Sequence, residues 1–291
     1  MATATTRRKS SARGPDSTVR RTINKVLAKM RGPANAGTSV KTIGGDVTGL
    51  TIYGDRPLRF QRLTVPDPEM PTISDPGALE SAFKIRVAHL ARVRSDARVL
   101  VERRYAGRGY QIPVVKQDPN LMTFLAYDEG RIVGTVSVRL DTDSRPLSAH
   151  DLYPQEVQSL RHEGWKICEF TQLAVDTEIA NKPVLATLFH TAYLYAAVVR
   201  GYTFAVIEVN PRHVSFYAKA LRFMPLGPTR TNTRVNAPAV LLGVPFAEIS
   251  KGVETHAGRP ANAETKGSLF RFGFRSHEQD GVLNRLRKLV E

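Results

Sequence analysis

Two acidic residues and a tyrosine are spaced so that a sheet and the helix after it could bring them together for proton transfer. Glu169 lies in the strand-like run 167–176, and Glu208 is the acid within the apolar run 204–209. Carboxylates that project from strands into a partly dry cleft suit general-base catalysis, because burial raises their pKa towards neutrality. Tyr217 follows on a predicted helix and is a candidate general acid. Such a set fits acyl transfer to an amine, which needs a base for the attacking nitrogen and an acid for the leaving group.

Each of these side chains also has an ordinary structural interpretation. A carboxylate on a strand can simply pair with Arg or Lys, and Tyr217 can be an aromatic residue of the core. His213 is a third candidate for proton transfer, since the ordinary pKa of histidine lies near neutrality. It follows a strand end, so a substrate contact or a helix cap is equally open for it. The residues alone leave the choice of base between Glu169 and Glu208 open.

A strand and a helix must position these groups. The β-rich run 205–209 predicts a buried strand. Asn210 and Pro211 are a helix-start signal, with Asn as the cap and Pro in the first turn, where no amide donor is needed. Apolar residues then recur at helical spacing and predict a short helix with one face against a core: Val214, Phe216, Tyr217, Ala220 and Leu221.

The regular pattern as a whole runs from residue 83 to residue 244. It comprises a strand, a basic helix, a β-hairpin, a strand, a long apolar helix, the strand–helix–strand unit and a last strand: 83–87, 93–108, 121–140 with its turn at 128–131, 165–175, 183–199, 205–227 and 239–244. Alternating apolar residues predict the strands, and apolar residues three or four apart predict the helices. This order resembles the GNAT superfamily of N-acyltransferases, an α/β (α+β) fold with a mixed β-sheet flanked by helices.

The composition is typical of a globular protein in a reducing environment. At 291 residues, with 42% hydrophobic and 24% charged residues, the chain can bury a sizeable core. No apolar run is long enough to span a bilayer, and Arg7 and Arg8 are not followed by the apolar segment of a secretory signal. Cys168 is the single cysteine, so we expect a packed core thiol and a cytoplasmic location. No metal-ligand spacing surrounds it, and we predict no metal site.

The net charge of +15 is concentrated in the tails. Nine Lys or Arg residues stand against Asp16 alone in residues 1–31. Residues 17–30 have the spacing of a basic amphipathic helix, which could lie on the inner face of a membrane, bind a partner or pack on its own domain. We therefore predict four parts: a basic disordered tail with this helix, a linker or embellishment, a GNAT-like acyltransferase domain, and an extension with a short amphipathic helix at 281–290. Their bounds are 1–31, 32–82, 83–250 and 251–291.

Several segments resemble the long-chain N-acyl amino acid synthases of the FeeM type. They are Glu-Phe-Thr-Gln-Leu-Ala-Val-Asp at 169–176, Leu-Phe-His at 188–190, Asn-Pro-Arg-His at 210–213, Phe-Tyr at 216–217, Ala-Pro-Ala-Val-Leu at 237–241 and the helical run 97–110. The resemblance spans about residues 83–244, over half of the chain. It implies transfer of a long acyl chain from acyl carrier protein to the α-amine of an amino acid, on a fold shared with acyl-homoserine-lactone synthases.

The resemblance and the positions of the residues together suggest particular roles. Glu169 opens the family-like strand and is preferred over Glu208 as the base, while Tyr217 would protonate the leaving thiolate. Candidate substrate contacts are Arg103, Arg104, Arg108, Thr171, Asn210, Arg212 and Phe216. The three arginines near residue 105 would dock the carrier or the acceptor carboxylate, or form an ordinary solvated helix face. Arg222 stands where the wider superfamily has glycine, which leaves the geometry of that helix end open.

The residues before the long helix favour a carrier protein as the donor. Relatives that use coenzyme A place a glycine-rich loop there, whose amides hold the pyrophosphate. Here residues 177–183 contain no glycine, carry an acid and end in a proline without an amide donor. We therefore predict acyl-phosphopantetheine on acyl carrier protein as the donor, with acyl-CoA as the alternative and no permanently bound cofactor. The competing functions are an acetyl-CoA-dependent N-acetyltransferase and a binder of nucleic acid or membrane surfaces, with nucleic acid disfavoured because the excess charge lies in a tail.

Overall fold

The computed structural model describes residues 51–54, 83–88, 100–102, 118, 120–176, 182–260 and 267–291. Its strands are β1 (Thr51–Tyr53), β2 (Lys84–Val87), β3 (Leu121–Asp128), β4 (Arg131–Leu140), β5 (Ile167–Val175), β6 (Phe204–Val209), β7 (Met224–Pro225), β8 (Arg230–Asn232) and β9 (Ala237–Pro245). Its helices are α1 (Pro154–His162), α2 (Lys182–Tyr193), α3 (Val214–Leu221), α4 (Phe246–His256) and α5 (Ser276–Arg287). Short 3-10 turns lie at Ser148–Asp151, Pro211–His213 and Phe270–Phe272, and a π-helix at Leu194–Val199 continues α2.

The strands form one mixed sheet flanked by helices, which confirms the predicted fold class. The strand order is β1-β2-β3-β4-β5-β6-β9-β7, and β8 pairs with β9. Among the described strands, every pair is antiparallel except β5 and β6, which run parallel. The parallel pair lies near the middle of the sheet. Helix α2 forms the crossover connection from β5 to β6, and α3 connects β6 to β7.

A gap opens in the sheet between the two parallel strands. β5 and β6 are paired over three residues each, and the last pair joins Glu169 to Val206. Beyond that pair, β5 continues along β4 to Val175, and β6 continues along β9 to Val209. The two strands share no further ladder pair in the described part of the chain. Glu169 is therefore the last residue before the sheet divides.

A bulge in β5 lies just after the gap begins. Ser137 pairs with Thr171 and Thr135 pairs with Ala174, so β5 contains one extra residue. Gln172 takes up the extra length with a φ of 52°, a left-handed conformation that is uncommon for a residue with a Cβ atom. Its side chain is held by Ser137, whose hydroxyl donates to Gln172 Oε1 over 2.7 Å. The bulge bends β5 beside the gap.

The two faces of the sheet carry different cores. On one face, α2, α3, α4 and the segment after residue 267 pack against Phe170, Ile207 and the other residues of the main cluster. On the opposite face, α1 packs against a smaller cluster that includes Ile167 and Val206. Because successive strand residues point to opposite faces, Glu169 lies on the α1 face while Phe170 lies on the α2 face.

Several predictions of local structure are confirmed. The hairpin forms from β3 and β4, and α2 with its π-helical continuation covers the predicted helix at 183–199. Asn210 caps the helical turn after β6, since its side-chain oxygen accepts a hydrogen bond from the Arg212 amide. Cys168 is completely buried, and desolvation raises the pKa of its thiol well above the usual value, as expected of a packed core cysteine.

Other elements differ from the prediction. Helices α1 and α4 lie in stretches for which no element is predicted, and the predicted domain boundary at residue 250 falls inside α4. β1 belongs to the predicted linker 32–82 but adds a strand to the edge of the sheet. Helix α5 begins at Ser276 rather than near residue 281, because the Glu278 side chain accepts a hydrogen bond of 2.8 Å from the Arg275 amide and so closes an earlier first turn.

The segment after residue 267 is part of the core rather than an appendage. Leu269, Phe270, Phe274 and Leu286 are buried in the main cluster together with residues of α2. The described residues all belong to one compact unit within Ser39–Glu291. The predicted extension therefore completes the same hydrophobic core as the acyltransferase-like domain.

The C-terminal end of α3 has an arginine where the wider superfamily has a glycine. Arg222 is the C-cap, with a left-handed φ of 63° that glycine adopts at less cost. Its guanidinium lies 3.3 Å from Glu248 of α4 and 5.6 Å from the ring centroid of Phe270. These contacts link the helix end to α4 and to the C-terminal segment.

Some predictions fall on parts of the chain that the structure leaves undescribed. The predicted tail and basic helix within residues 1–31 lie outside the described residues, as do Arg103, Arg104 and Arg108. Of the predicted helix at 93–108, residues 100–102 are described and are helical. None of the helices in the described ranges has the length and apolarity that crossing a bilayer requires.

Candidate active site

Glu169 is buried at the point where β5 and β6 separate, with 3% of its surface exposed. Its Oε2 accepts hydrogen bonds from the amides of Ser148, over 2.7 Å, and Ala149, over 3.4 Å. Oε1 accepts none from the described part of the chain. Desolvation raises the pKa of the carboxyl to about 7, and the nearby charge of Glu208 raises it further against the opposing effect of Arg139. A carboxyl poised near neutrality, with one oxygen held and the other available, is suited to general-base catalysis.

Arg139 stands beside Glu169 on the neighbouring strand. The two residues are register partners in the β4–β5 ladder, so their side chains share the α1 face. Asp118 holds the arginine in a salt bridge of 2.5 Å. Because this guanidinium already has a carboxylate partner, it lowers the pKa of Glu169 without neutralising the effect of burial.

Glu208 is the paired carboxylate of the site. It lies two residues beyond Val206 on the same face of β6, and Arg234 Nη2 is 2.9 Å from its Oε1. The Asn232 amide donates a hydrogen bond to the other oxygen, and Asn232 Oδ1 in turn accepts from the Arg234 backbone amide over 2.9 Å. Desolvation raises the pKa of Glu208, while the Arg234 charge and these hydrogen bonds oppose the rise. For Glu208, the structure therefore shows the ion-paired alternative.

Tyr217 lies on α3, on the opposite side of the sheet from Glu169. Its ring packs edge to face against Phe189 of α2, with centroids 6.2 Å apart, and against Phe216 and Phe223 at 5.2 Å and 6.2 Å. The residue is half-buried. Tyr217 is thus an aromatic member of the core, and its phenol remains a candidate acid.

The other described candidates cluster around the start of α3 and the bulge. Asn210 acts as the helix cap, and Arg212 Nε donates a hydrogen bond to His213 Nε2 over 3.1 Å at the surface. Phe216 packs against the neighbouring tyrosine, and Thr171 is half-buried beside the bulge. The structure brings Glu169, Glu208 and the bulge to one face and the α3 residues to the end of the gap. Their roles as substrate contacts remain predictions.

Sequence reasoning missed the groups that complete this site. Arg234 and Asn232 lie 26 and 24 positions from Glu208 and reach it through the hairpin of β8 and β9. The amides that hold Glu169 belong to the turn Ser148–Asp151, which carries no motif. Such contacts form only when distant strands pair, so the local pattern of polar and apolar residues in the sequence does not predict them. Within the described residues, no cluster of three or more His, Cys, Asp or Glu is arranged to hold a metal ion.

A family model covers the region that builds this site. The model of the N-acyl amino acid synthase FeeM matches residues 96–245, more than half of the chain. The chain belongs to the FeeM family. It is therefore an N-acyltransferase, and Glu169, Glu208 and Tyr217 all fall inside the matched range, whereas α4 and the segment after residue 267 lie beyond it.

Several solved structures are similar to this chain. The structure of FeeM from uncultured soil microbes is 26% identical, with a TM-score of 0.54, and the match covers 58% of this chain and 94% of that chain. A GNAT-family acetyltransferase from Streptococcus pneumoniae is 16% identical over 56% of this chain and 99% of its own, with a TM-score of 0.41. The AHL synthase LasI is 13% identical over 56% and 90%, with a TM-score of 0.40. No curated protein matches the chain by sequence.

Proposed function

We propose that this FeeM-family enzyme transfers a long-chain acyl group from the phosphopantetheine arm of an acyl carrier protein to the α-amine of an amino acid. The observation that carries the proposal is the state of Glu169, a buried carboxyl with a pKa of about 7 at the edge of the gap in the sheet. An amine is protonated near neutral pH and must lose a proton before it can attack. A base that titrates in this range meets that requirement.

The reaction uses the two sides of the gap for its two substrates. The amino acid binds on the Glu169 face, where the carboxylate takes a proton from its nitrogen. The carboxylate passes this proton to solvent, and the neutral nitrogen forms a bond to the thioester carbonyl carbon. The nitrogen gives its second proton to the carboxylate as the carbon–sulfur bond breaks. The hydroxyl of Tyr217, on the other side, gives its proton to the departing thiolate, so that the products are an amide and a free phosphopantetheine thiol.

The charges around Glu169 support an amino acid as the acceptor. Glu169 supplies negative charge for an ammonium group, since Arg139 and Arg234 on the same face are already paired with Asp118 and Glu208. Guanidinium groups bind carboxylates in two-point geometry, which suits the α-carboxylate of an amino acid. The undescribed Arg103, Arg104 and Arg108 remain further candidates for this contact or for the carrier.

The donor side supports a carrier protein. The segment 177–183 contains no glycine, and Pro183 in the first turn of α2 has no amide with which to hold a pyrophosphate. Exposed basic side chains lie near the ends of these two helices, at Lys182 on α2 and at Arg212 and Lys219 around α3. An acidic carrier would dock there by charge complementarity, and its encounter rate would fall with added salt.

Single-turnover assays with matched acyl-carrier and acyl-CoA donors test the donor. We expect faster transfer from the carrier than from acyl-CoA, and a rate that falls as salt is added. Lys219→Glu should lower the rate further. Lys251→Glu, which reverses an exposed charge on α4, should not. Equal or better rates with acyl-CoA would overturn the carrier proposal.

Mass spectrometry of lipid extracts from cells overexpressing the chain identifies the acceptor and the acyl group together. Products lacking an amino acid would overturn the proposed acceptor.

Membrane contact through residues 17–30 belongs to the same proposal. A basic amphipathic helix binds anionic lipid surfaces, where the acylated product would be released. Flotation with anionic and neutral vesicles compares the full chain with one that lacks residues 1–31. Binding of the full chain to anionic vesicles alone is expected, and equal binding by both forms would refute the contact.

A further inference from the structure

Arg139 lies between two carboxylates, one on each side of its strand. Its register partners are Leu121 on β3 and Glu169 on β5, and the strand order is β3-β4-β5. Asp118 lies just before β3, on the side of β4 that is away from Glu169. Facing side chains on neighbouring strands have Cβ atoms about 5 Å apart, so Glu169 is also within reach of this long side chain.

The structure shows which of the two carboxylates binds the guanidinium. Arg139 Nη1 lies 2.5 Å from Asp118 Oδ2. Between the side chains of Arg139 and Glu169, the described part of the chain shows no hydrogen bond. Arg139 Nε is buried, and it too has no hydrogen-bond partner in these ranges. A buried donor without a partner is unfavourable, so without Asp118 the guanidinium would turn to the carboxylate of Glu169.

Asp118 is held in its position by groups other than Arg139. Its Oδ1 accepts a hydrogen bond of 2.9 Å from the amide of Asn120, which closes a local turn. Arg145 Nη1 lies 3.3 Å from the same oxygen, but the Arg145 side chain is 46% exposed, whereas that of Arg139 is 17% exposed. The ion pair with Arg139 is therefore the better shielded from solvent, and the local turn fixes the side of β4 on which it forms.

A change of partner for Arg139 would alter Glu169 as a base. A guanidinium that pairs with a carboxylate lowers the pKa of that group and holds it in the ionised form. While Asp118 holds Arg139, the arginine lowers the pKa of Glu169 only in part, and burial keeps that pKa at about 7. Paired directly with Arg139, Glu169 would be a weaker base, and its second oxygen would no longer be open to an amine.

We propose that Asp118 is a positioning residue of the reaction: it holds the Arg139 guanidinium on the β3 side of β4 and so prevents an ion pair between Arg139 and Glu169. The inference deepens the proposed function and rests on it for the role of Glu169 as the base. The position of the guanidinium itself depends only on the two carboxylates beside it.

Other charged and titratable groups also surround Glu169. They come from its own strand, from β6, from the hairpin of β8 and β9, from the turn before α1 and from the residues around β4: Cys168, Glu208, Arg234, His150, Asp151, Arg145 and Arg139. Among the described salt bridges of these groups, those of Arg139 and Arg145 involve Asp118. Because Arg145 pairs at the greater distance and is more exposed, we expect replacement of Asp118 to act on Glu169 mainly through Arg139.

Titration of Glu169 in the full chain tests the inference without an assay of activity. Carbon NMR of labelled glutamate carboxyl groups follows the protonation of Glu169, whose signal is assigned by its loss in Glu169→Gln. In Asp118→Asn, the midpoint should fall by about one pH unit or more, because the released guanidinium approaches the carboxylate. Asp118→Ser, which introduces a second uncharged residue that favours turns, should give the same result. An unchanged or higher midpoint in a folded variant of either kind would overturn the inference.

Further variants show whether the effect passes through Arg139. Arg139→Met should raise the midpoint above that of the wild type, and the double variant with Asp118→Asn should titrate close to Arg139→Met alone. A fall of the original size on the Arg139→Met background would contradict the proposed role. The control Asp141→Asn removes a different aspartate–arginine pair, with Arg161 at 2.7 Å, and should leave the midpoint of Glu169 unchanged. An equal fall in this control would also overturn the inference, since the effect would then not be specific to Asp118.

Kinetics then separates the inference from the proposed function. When both hold, the rising limb of kcat/KM in Asp118→Asn moves to lower pH together with the NMR midpoint, and kcat falls on the order of tenfold because Glu169 is a weaker base. A lowered midpoint with unchanged activity would refute Glu169 as the base and keep the role of Asp118 in placing Arg139. An unchanged midpoint, together with a strong loss of kcat in Glu169→Gln, would refute the role of Asp118 and keep the base.

Discussion

Arg234 Nη2 lies 2.9 Å from Glu208 Oε1, and this ion pair separates the roles of the two strand carboxylates. Glu208 has a fixed counter-ion from the β8–β9 hairpin, whereas the hydrogen bonds of Glu169 come from backbone amides. A carboxylate that is tied to a guanidinium is a poor proton acceptor, since proton uptake would break the pair. Glu169 can gain and lose a proton without losing an ionic partner.

Replacement of Glu169 by Gln should therefore remove the base and keep its shape. We expect kcat to fall by about 10²–10⁴-fold, the usual contribution of a general acid–base group. Glu208→Gln is the matched control and should lower kcat much less, with its effect mainly on KM and stability. Steady-state kinetics on folded variants checks both, and a Glu169→Gln enzyme with near-normal kcat would move the assignment to Glu208.

The pH dependence of wild-type activity should follow the titration of Glu169. Since the base must be ionised, kcat/KM should rise with pH through about 7. The Glu208 charge raises the pKa of Glu169, and its removal also leaves Arg234 free to lower that pKa. Glu208→Gln should thus move the rising limb to lower pH, while Glu129→Gln, at an exposed hairpin turn, should leave it unchanged. A limb that moves to higher pH would contradict the electrostatic account.

The raised pKa of Glu169 should make the free energy of unfolding depend on pH. The folded pKa of about 7 lies above the ordinary value of 4.5, so the folded state binds more protons between these pH values and the wild type loses stability as pH rises through them. Glu169→Gln has no such loss. Urea unfolding at about pH 8 should show the variant about 1–3 kcal/mol more stable, with the difference shrinking towards about pH 5. A pH-independent difference would indicate a packing effect instead.

Tyr217→Phe tests whether Tyr217 acts as a general acid or only packs in the aromatic core. The variant keeps the ring contacts with Phe189 and Phe223 and loses the hydroxyl, so stability should change little while kcat falls by about 10²-fold or more. Tyr195→Phe removes a hydroxyl elsewhere in the same core and serves as the control. Normal kcat in Tyr217→Phe would leave the residue as a packing aromatic alone.

Leu286→Ala tests whether the segment after residue 267 belongs to the core. Leu286 on α5 is fully buried, so its truncation should lower the free energy of unfolding by about 2–5 kcal/mol. Val290→Ala, at a position of the same segment with 44% exposure, should cost far less. Equal, small effects in denaturant titrations would return this segment to the status of an extension.

The sequence predicted the strands, helices and cap that depend on residues close together in the chain. Alternation identified β6, helical spacing identified α2, and the Asn210 cap followed from a local hydrogen bond. The family resemblance pointed to Glu169. The partner of Glu208 could not be predicted, because Arg234 reaches it only when β9 pairs with β6. The burial of Phe270 and Phe274 depends in the same way on α2, far away in the chain, and the left-handed Arg222 is stabilised by contacts with α4 rather than by its own propensity.

The contact between β1 and α5 has a consequence for how the enzyme is made. Arg285 donates a hydrogen bond of 3.0 Å to the carbonyl of Ile52, across 233 positions of sequence. During translation, this contact, and the hydrogen bond from the Phe274 amide to His190, can form only after the segment beyond residue 267 has left the ribosome. Long-range contacts of this kind slow folding, because the loop must close before the contact stabilises it. The nascent chain should therefore become a working catalyst only after synthesis of α5.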